Sequence, residues 1–61
     1  MHPDNEQLKQ LARDYADSAT YNLTGAVRYV VRDTLQCEME YLFTNNLEYY
    51  KQIKRSMEGE P

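Results

Sequence analysis

The sequence predicts an all-α fold, in which a helical hairpin with a long second helix pairs with a second copy to form a dimeric helical bundle. Proline occurs only near the ends, at Pro3 and Pro61, and only Gly25 and Gly59 offer the backbone freedom that ends a helix. Apolar residues recur at helical spacing. A chain of 61 residues with one cysteine and one histidine forms neither an internal disulfide nor a usual zinc cluster, so dimerisation is expected to complete its small core. We expect residues 1–61 to form a single domain.

The first helix is predicted over about residues 5–21. Asp4 is a good N-cap residue, and Gln7 follows three positions later to complete a capping box. Helical spacing places the apolar residues on one side of this helix, with charged residues on the other. The predicted inward-facing residues are Leu8, Leu11, Ala12, Tyr15, Ala16, Ala19 and Leu23.

A tight turn is predicted at about residues 22–25, because the residues from Thr20 to Gly25 have poor helix propensity. Asn22 or Thr24 can cap the helix that follows. The second helix is predicted over about residues 26–57, and residues 58–61 are expected to form a frayed tail. Its first half is expected to turn one apolar face inward, consisting of Val27, Val30, Val31, Thr34 and Leu35.

The apolar face of the second helix rotates after Leu35, by more than ordinary heptad drift explains. One interpretation is a continuous helix whose two halves pack against different partners, and we prefer it. The alternative is an interruption at residues 44–46, where Asn45 and Glu48 can form a capping box. That alternative gives three short helices in one small bundle.

A dimer interface is predicted in the second half of the long helix. The first helix would span about 25 Å and a continuous second helix about 48 Å, so half of the second helix would lack a cover within the chain. Apolar residues there follow a short heptad-like pattern, and an Asn at one core position can fix the register between two chains. The predicted interface residues are Leu35, Met39, Leu42, Asn46, Tyr49 and Ile53.

Enzyme signatures are missing, so no catalytic residue, metal ligand or cofactor is predicted. Cys37 and His2 are the only thiol and imidazole, and a residue as close to the N-terminus as His2 is expected to fray. Glu38 and Glu40 point about 200° apart on a helix and cannot act together. Glu38 is interpreted either as a solvated residue at the rim of the apolar face or as a partly buried carboxylate that meets an arginine.

Tyrosine is the most informative residue type, with six copies against one phenylalanine and no tryptophan. Tyr29 falls on the polar side of its helix, where the core does not need it, and exposed Tyr and Arg are typical of protein-binding sites. The sequence therefore predicts a small non-enzymatic protein that regulates or inhibits a protein partner through a Tyr-rich helix face. The predicted partner-binding residues are Arg28, Tyr29, Arg32, Glu40 and Tyr41.

Two alternative functions and a location follow from charge and hydropathy. A dimeric nucleic-acid-associated regulator would use two basic clusters, although a net charge of −3 makes nucleic acid an improbable partner. A structural assembly subunit would have no separate target. No stretch approaches the roughly 18 apolar residues of a membrane helix, and a free cysteine without an export signal suggests the cytoplasm. The two basic clusters are Arg28 with Arg32, and Lys51 with Lys54 and Arg55.

Overall fold

The computed structural model describes residues 3–59, which form three helices joined by short turns. The helices are α1 (Asn5–Ala19), α2 (Gly25–Asn45) and α3 (Leu47–Met57), and the described residues contain no strand. The predicted all-α class is confirmed. The continuous helix over residues 26–57 is wrong, and the chain follows the alternative of three helices in one small bundle. Of the predicted tail, residues 58 and 59 form a turn, and residues 60 and 61 lie outside the described residues.

Helix α1 begins where the sequence predicts and ends two residues earlier. The Gln7 backbone N–H donates to the Asp4 carboxylate at 2.9 Å, and the Asp4 N–H donates to the Gln7 side-chain oxygen at 3.0 Å. These two bonds are the predicted capping box. At the other end, the buried Thr20 hydroxyl donates to the Ala16 carbonyl at 2.7 Å and so satisfies a carbonyl in the last turn of the helix.

The turn between α1 and α2 ends at a glycine in a left-handed conformation. Thr24 occupies the N-cap position of α2, but its side chain makes no capping bond. Gly25 follows with φ +69°, a region that costs other residues about 1–2 kcal/mol. Glycine at this position therefore lets the chain reverse direction and start α2 one residue earlier than predicted.

The break between α2 and α3 is made by two adjacent asparagines. The Asn45 amide donates to the Tyr41 carbonyl at 2.8 Å and so satisfies a group at the end of α2. Asn46 is extended, with φ −146° and ψ 90°, and its side-chain oxygen accepts from the Tyr49 N–H at 3.1 Å. Asn46 is therefore the N-cap of α3, and the predicted Asn45–Glu48 capping box is wrong.

The core lies between α1, the C-terminal half of α2, and α3. Phe43 is fully buried, and its ring meets the Tyr50 ring edge-on, with the two centroids 5.5 Å apart. Partly buried apolar residues from all three helices pack around this centre. The buried cluster consists of Leu8, Leu11, Ala12, Met39, Phe43 and Tyr50.

The first half of α2 faces the opposite way from the sequence prediction. Val27, Val30 and Val31 are exposed, whereas Arg28 and Arg32 on the other side are half-buried. Val27 and Phe43 are sixteen residues apart, which places them about 160° apart around a straight helix. Both cannot face α1 at once, and the larger Phe43 takes the inward position.

Most of the predicted dimer interface is used within the chain itself. Met39 is buried in the core, and Leu35, Tyr49 and Ile53 are half-buried against it. Helices α1 and α3 thus cover the part of the chain that was assigned to a second copy. The apolar surface left uncovered lies mainly in the first half of α2, not from Leu35 onward. The exposed members of the predicted interface are Leu42 and Asn46.

Candidate protein-interaction surface

Two arginines of α2 converge on one carboxylate of α1. The Arg32 Nη1 atom lies 3.1 Å from the Asp17 Oδ1 atom and donates a hydrogen bond to it. The Arg28 Nη2 atom lies 3.8 Å from the same oxygen. Because the turn between α1 and α2 is short, the last turn of α1 lies beside the first turns of α2. Asp17 therefore links the last turn of α1 to the first half of α2 through both arginines.

Tyr29 is the most exposed residue of this cluster, and the half-buried Arg32 packs against its ring. The Arg32 guanidinium carbon lies 5.2 Å from the centre of the Tyr29 ring, which is cation–π geometry. Arg32 is thus held on two sides, by a carboxylate and by an aromatic face. Tyr29 itself remains 64% exposed. We call Asp17, Arg28, Tyr29 and Arg32 the tyrosine–arginine cluster.

Arg28 is less fully engaged than Arg32. Its Nε atom is shielded from solvent and has no hydrogen-bond partner among residues 3–59. Within the same residues its only ion pair is the 3.8 Å contact with Asp17, and about a third of its side chain is exposed. Arg28 is therefore the cluster residue with hydrogen-bonding capacity to spare.

The five predicted partner-binding residues are divided between two sides of α2. Glu40 lies about 20° around the helix from Tyr29, so it extends the side that carries the cluster, where the Gln36 amide donates to its carboxylate at 3.4 Å. Tyr41 lies about 120° from Tyr29. It is exposed on the same side as Val27 and Val30. The structure therefore groups Arg28, Tyr29 and Arg32. Glu40 lies about 12 Å along the helix from Arg32, and Tyr41 lies on another side of α2.

The basic residues of α3 lie far from this cluster. Lys54 lines a groove with Gln7 and Gln10, near the start of α1. Arg28 and Arg32 sit at Asp17, about 10–15 Å further along the same helix. The structure does not bring the two predicted basic clusters together into one strip within a single chain. The other basic residues of α3, Lys51 and Arg55, are exposed.

The chemistry available in the described residues is limited. Residues 3–59 contain no group of three or more His, Cys, Asp or Glu side chains that could hold a metal ion. Cys37 is a free, exposed thiol, and His2, the other half of the pair considered above, lies outside the described residues. Glu38 is exposed, which confirms the solvated interpretation. No helix of the described part is long and apolar enough to cross a membrane.

Asp17 is the residue of this surface that the sequence analysis did not single out. Its spacing within α1 places it on the polar side and indicates nothing more. The available signal was its place just before a predicted tight turn, since residues flanking such a turn meet across the hairpin.

Comparison with protein-family models, with curated proteins and with solved structures finds no significant match to this chain.

Proposed function

We propose that this protein is a small non-enzymatic interaction protein that regulates or inhibits a protein partner through the tyrosine–arginine cluster. The observation that supports the proposal is the pairing of a fixed arginine with an exposed tyrosine. Arg32 is held by Asp17 at 3.1 Å and by the Tyr29 ring at 5.2 Å, while Tyr29 stays 64% exposed. An aromatic ring and an arginine fork are then presented in one defined arrangement.

Two properties of the cluster favour binding of a partner: the types of its residues, and the fact that neighbouring groups already hold Arg32 in place. Tyr and Arg are enriched among the few residues that dominate binding energies at protein interfaces. A side chain that is already ordered loses less conformational entropy when a partner binds, so more of its contact energy appears as affinity. Glu40 lies on the same side of α2 as Tyr29, about 12 Å along the helix from Arg32, and adds a carboxylate acceptor at that distance from the cluster.

The test is affinity capture with matched variants. The protein and its variants are immobilised and exposed to a lysate of the cells that produce the protein, and bound proteins are quantified by mass spectrometry. Tyr29→Ala is expected to weaken retention of a partner by about 30-fold, equivalent to about 2 kcal/mol. Tyr21→Ala removes a tyrosine that is also exposed but lies in the turn outside the cluster, so its retention is expected to match the original chain.

The same proteins distinguish the proposed function from the two alternative functions, an assembly subunit and a nucleic-acid-associated regulator. Equal capture by Tyr29→Ala and the original chain would contradict the proposal. Recovery of the chain alone would favour an assembly subunit. A mobility shift with nucleic acid that weakens steeply with salt would favour a nucleic-acid-associated regulator. A cytoplasmic site of action is part of the proposal, because the exposed Cys37 thiol suits a reducing compartment.

A further inference from the structure

The side of α2 that points away from α1 and α3 is apolar along most of its length. Helical geometry places its residues within an arc of about 140° that also includes Cys37 and Glu38. Three members, Val27, Val30 and Tyr41, are each more than 60% exposed. We call this surface the outer face of α2; its other apolar or uncharged members are Val31, Thr34 and Leu42.

The opposite side of α2 already contributes to the core. Met39 and Phe43 pack against α1 and α3, so α2 has apolar residues on both of its sides. None of the described residues covers the outer face.

The outer face has the spacing of a helix-pairing seam. Val27, Val30, Thr34, Cys37 and Tyr41 follow one another at intervals of three, four, three and four residues. This is the a/d repeat by which two helices pack side by side. Over two heptads the drift of a straight helix from that repeat is only about 40°, so the seam stays on one side of α2.

A second copy of the same chain fits this seam when the two α2 helices run antiparallel and cross at Thr34. Val27 of one copy then lies opposite Tyr41 of the other, so a small side chain meets a large one at both ends. Thr34 meets its own symmetry mate at the centre, where a small side chain allows close approach. The arrangement has two-fold symmetry, and both copies use the same patch, as in most homodimers.

Charge selects the antiparallel direction. Glu38 is the one charged residue within the outer face, and Arg28 lies on the inward side of α2, about 40° around the helix from Leu42 at the border of that face. In the antiparallel pair, Arg28 of one copy and Glu38 of the other fall on the same edge, about 3 Å apart along the helix axis. Arg28 has capacity for such a contact, since its pairing with Asp17 is long at 3.8 Å. A parallel pair would instead bring the two Glu38 carboxylates together, and like charges there repel.

The size of the molecule is consistent with a dimer of this kind. The described chain has an accessible surface of 4763 Å², and a standard interface covers about 800 Å² per partner, roughly a sixth of it. A core this small seldom supplies more than about 3–5 kcal/mol, so burying a second apolar surface adds substantially to stability. We propose that a second copy of this chain docks antiparallel on the outer face of α2, crossing at Thr34. This dimer goes beyond the proposed function and does not depend on it.

The first test is molar mass by light scattering across a dilution series. The original chain is expected to have the mass of two chains at high concentration and of one chain on dilution. Val30→Lys places a charge in the seam and is expected to give a single chain throughout, with helix content by circular dichroism unchanged. Tyr21→Lys adds the same charge outside the outer face and is expected to behave as the original chain. Tyr29→Ala, which tests the proposed function, is also expected to stay dimeric.

The second test fixes the direction of the pair by disulfide formation. Two proteins are made, each with Cys37→Ser, one carrying Val27→Cys and the other Tyr41→Cys. In the antiparallel pair, positions 27 and 41 face each other, whereas two copies of position 27 lie about 21 Å apart, beyond the reach of a disulfide. The mixture is therefore expected to yield crosslinked heterodimers, and each protein alone none. A single-chain mass for the original chain at all concentrations, a dimeric Val30→Lys, or crosslinking of each protein alone would overturn the proposal.

Discussion

The two halves of α2 lie on one rigid helix and meet α1 in different ways. In the C-terminal half, the inward side consists of Met39 and Phe43, which are buried in the core. In the N-terminal half, the inward side consists of Arg28 and Arg32, which pair with Asp17. The valines of that half face outward. The same contact between α1 and α2 is therefore apolar at one end and ionic at the other.

The two ends of this contact contribute different amounts to the stability of the protein. Apolar burial contributes most where three helices meet, because only there do side chains lose nearly all contact with water. An ion pair in which both partners are a third or more exposed contributes little, so the arginine end tolerates change and can serve an interface.

Removal of the Phe43 ring should have the largest effect. Phe43→Ala leaves a cavity between the three helices and is expected to cost about 3–5 kcal/mol, which is as much as a core of this size supplies. Urea unfolding followed by circular dichroism is expected to find this variant largely unfolded without denaturant. Leu42→Ala, at the neighbouring and exposed position, should change the unfolding free energy of dilute protein by about 1 kcal/mol or less. Similar losses in the two variants would contradict the assignment of the core.

The break at Asn46 should have an intermediate effect. Asn46→Ala removes the N-cap of α3 and is expected to cost about 1 kcal/mol in the unfolding free energy. Alanine also favours a continuous helix, which would draw Tyr50 away from the core. Asn45→Ala is the matched control, since the Asn45 side chain donates to the Tyr41 carbonyl and does not cap α3, and it should cost less. A larger loss for Asn45→Ala would show that the cap has been misplaced.

Loss of the Asp17 charge should have the smallest effect on stability. Asp17→Asn is expected to lower the unfolding free energy by about 1 kcal/mol or less, because the carboxylate and both arginines are partly exposed. The difference from the original chain should shrink as salt rises, because ions screen exposed pairs. Asp14→Asn is the matched control, since in the described part of the chain the Asp14 partner is the neutral Gln10 amide and not a cation. A loss that does not change with salt would mean that the pair acts through packing instead of charge.

The candidate surface could be predicted only in part. Residue type identified Tyr29 and the two arginines, because exposed aromatic and cationic residues without a core role are recognisable along a helix. Their common partner Asp17 was missed, since the contact crosses the hairpin between residues eleven and fifteen positions apart. Tyr41 was grouped with Tyr29 by type, although helix geometry places them about 120° apart.

Local sequence determined the helical class, the capping box at Asp4 and the inward side of α1. Each of these depends on residues within one or two helical turns, so neighbouring side chains and backbone groups suffice to encode it. Only the tertiary structure decided which side of α2 faces inward. Val27 and Phe43 lie about 160° apart on a rigid helix, so only one of them can face inward, and the outcome depends on the space that α1 and α3 leave between them. That space, and not any local pattern, leaves the valines exposed and brings Arg28 and Arg32 to Asp17.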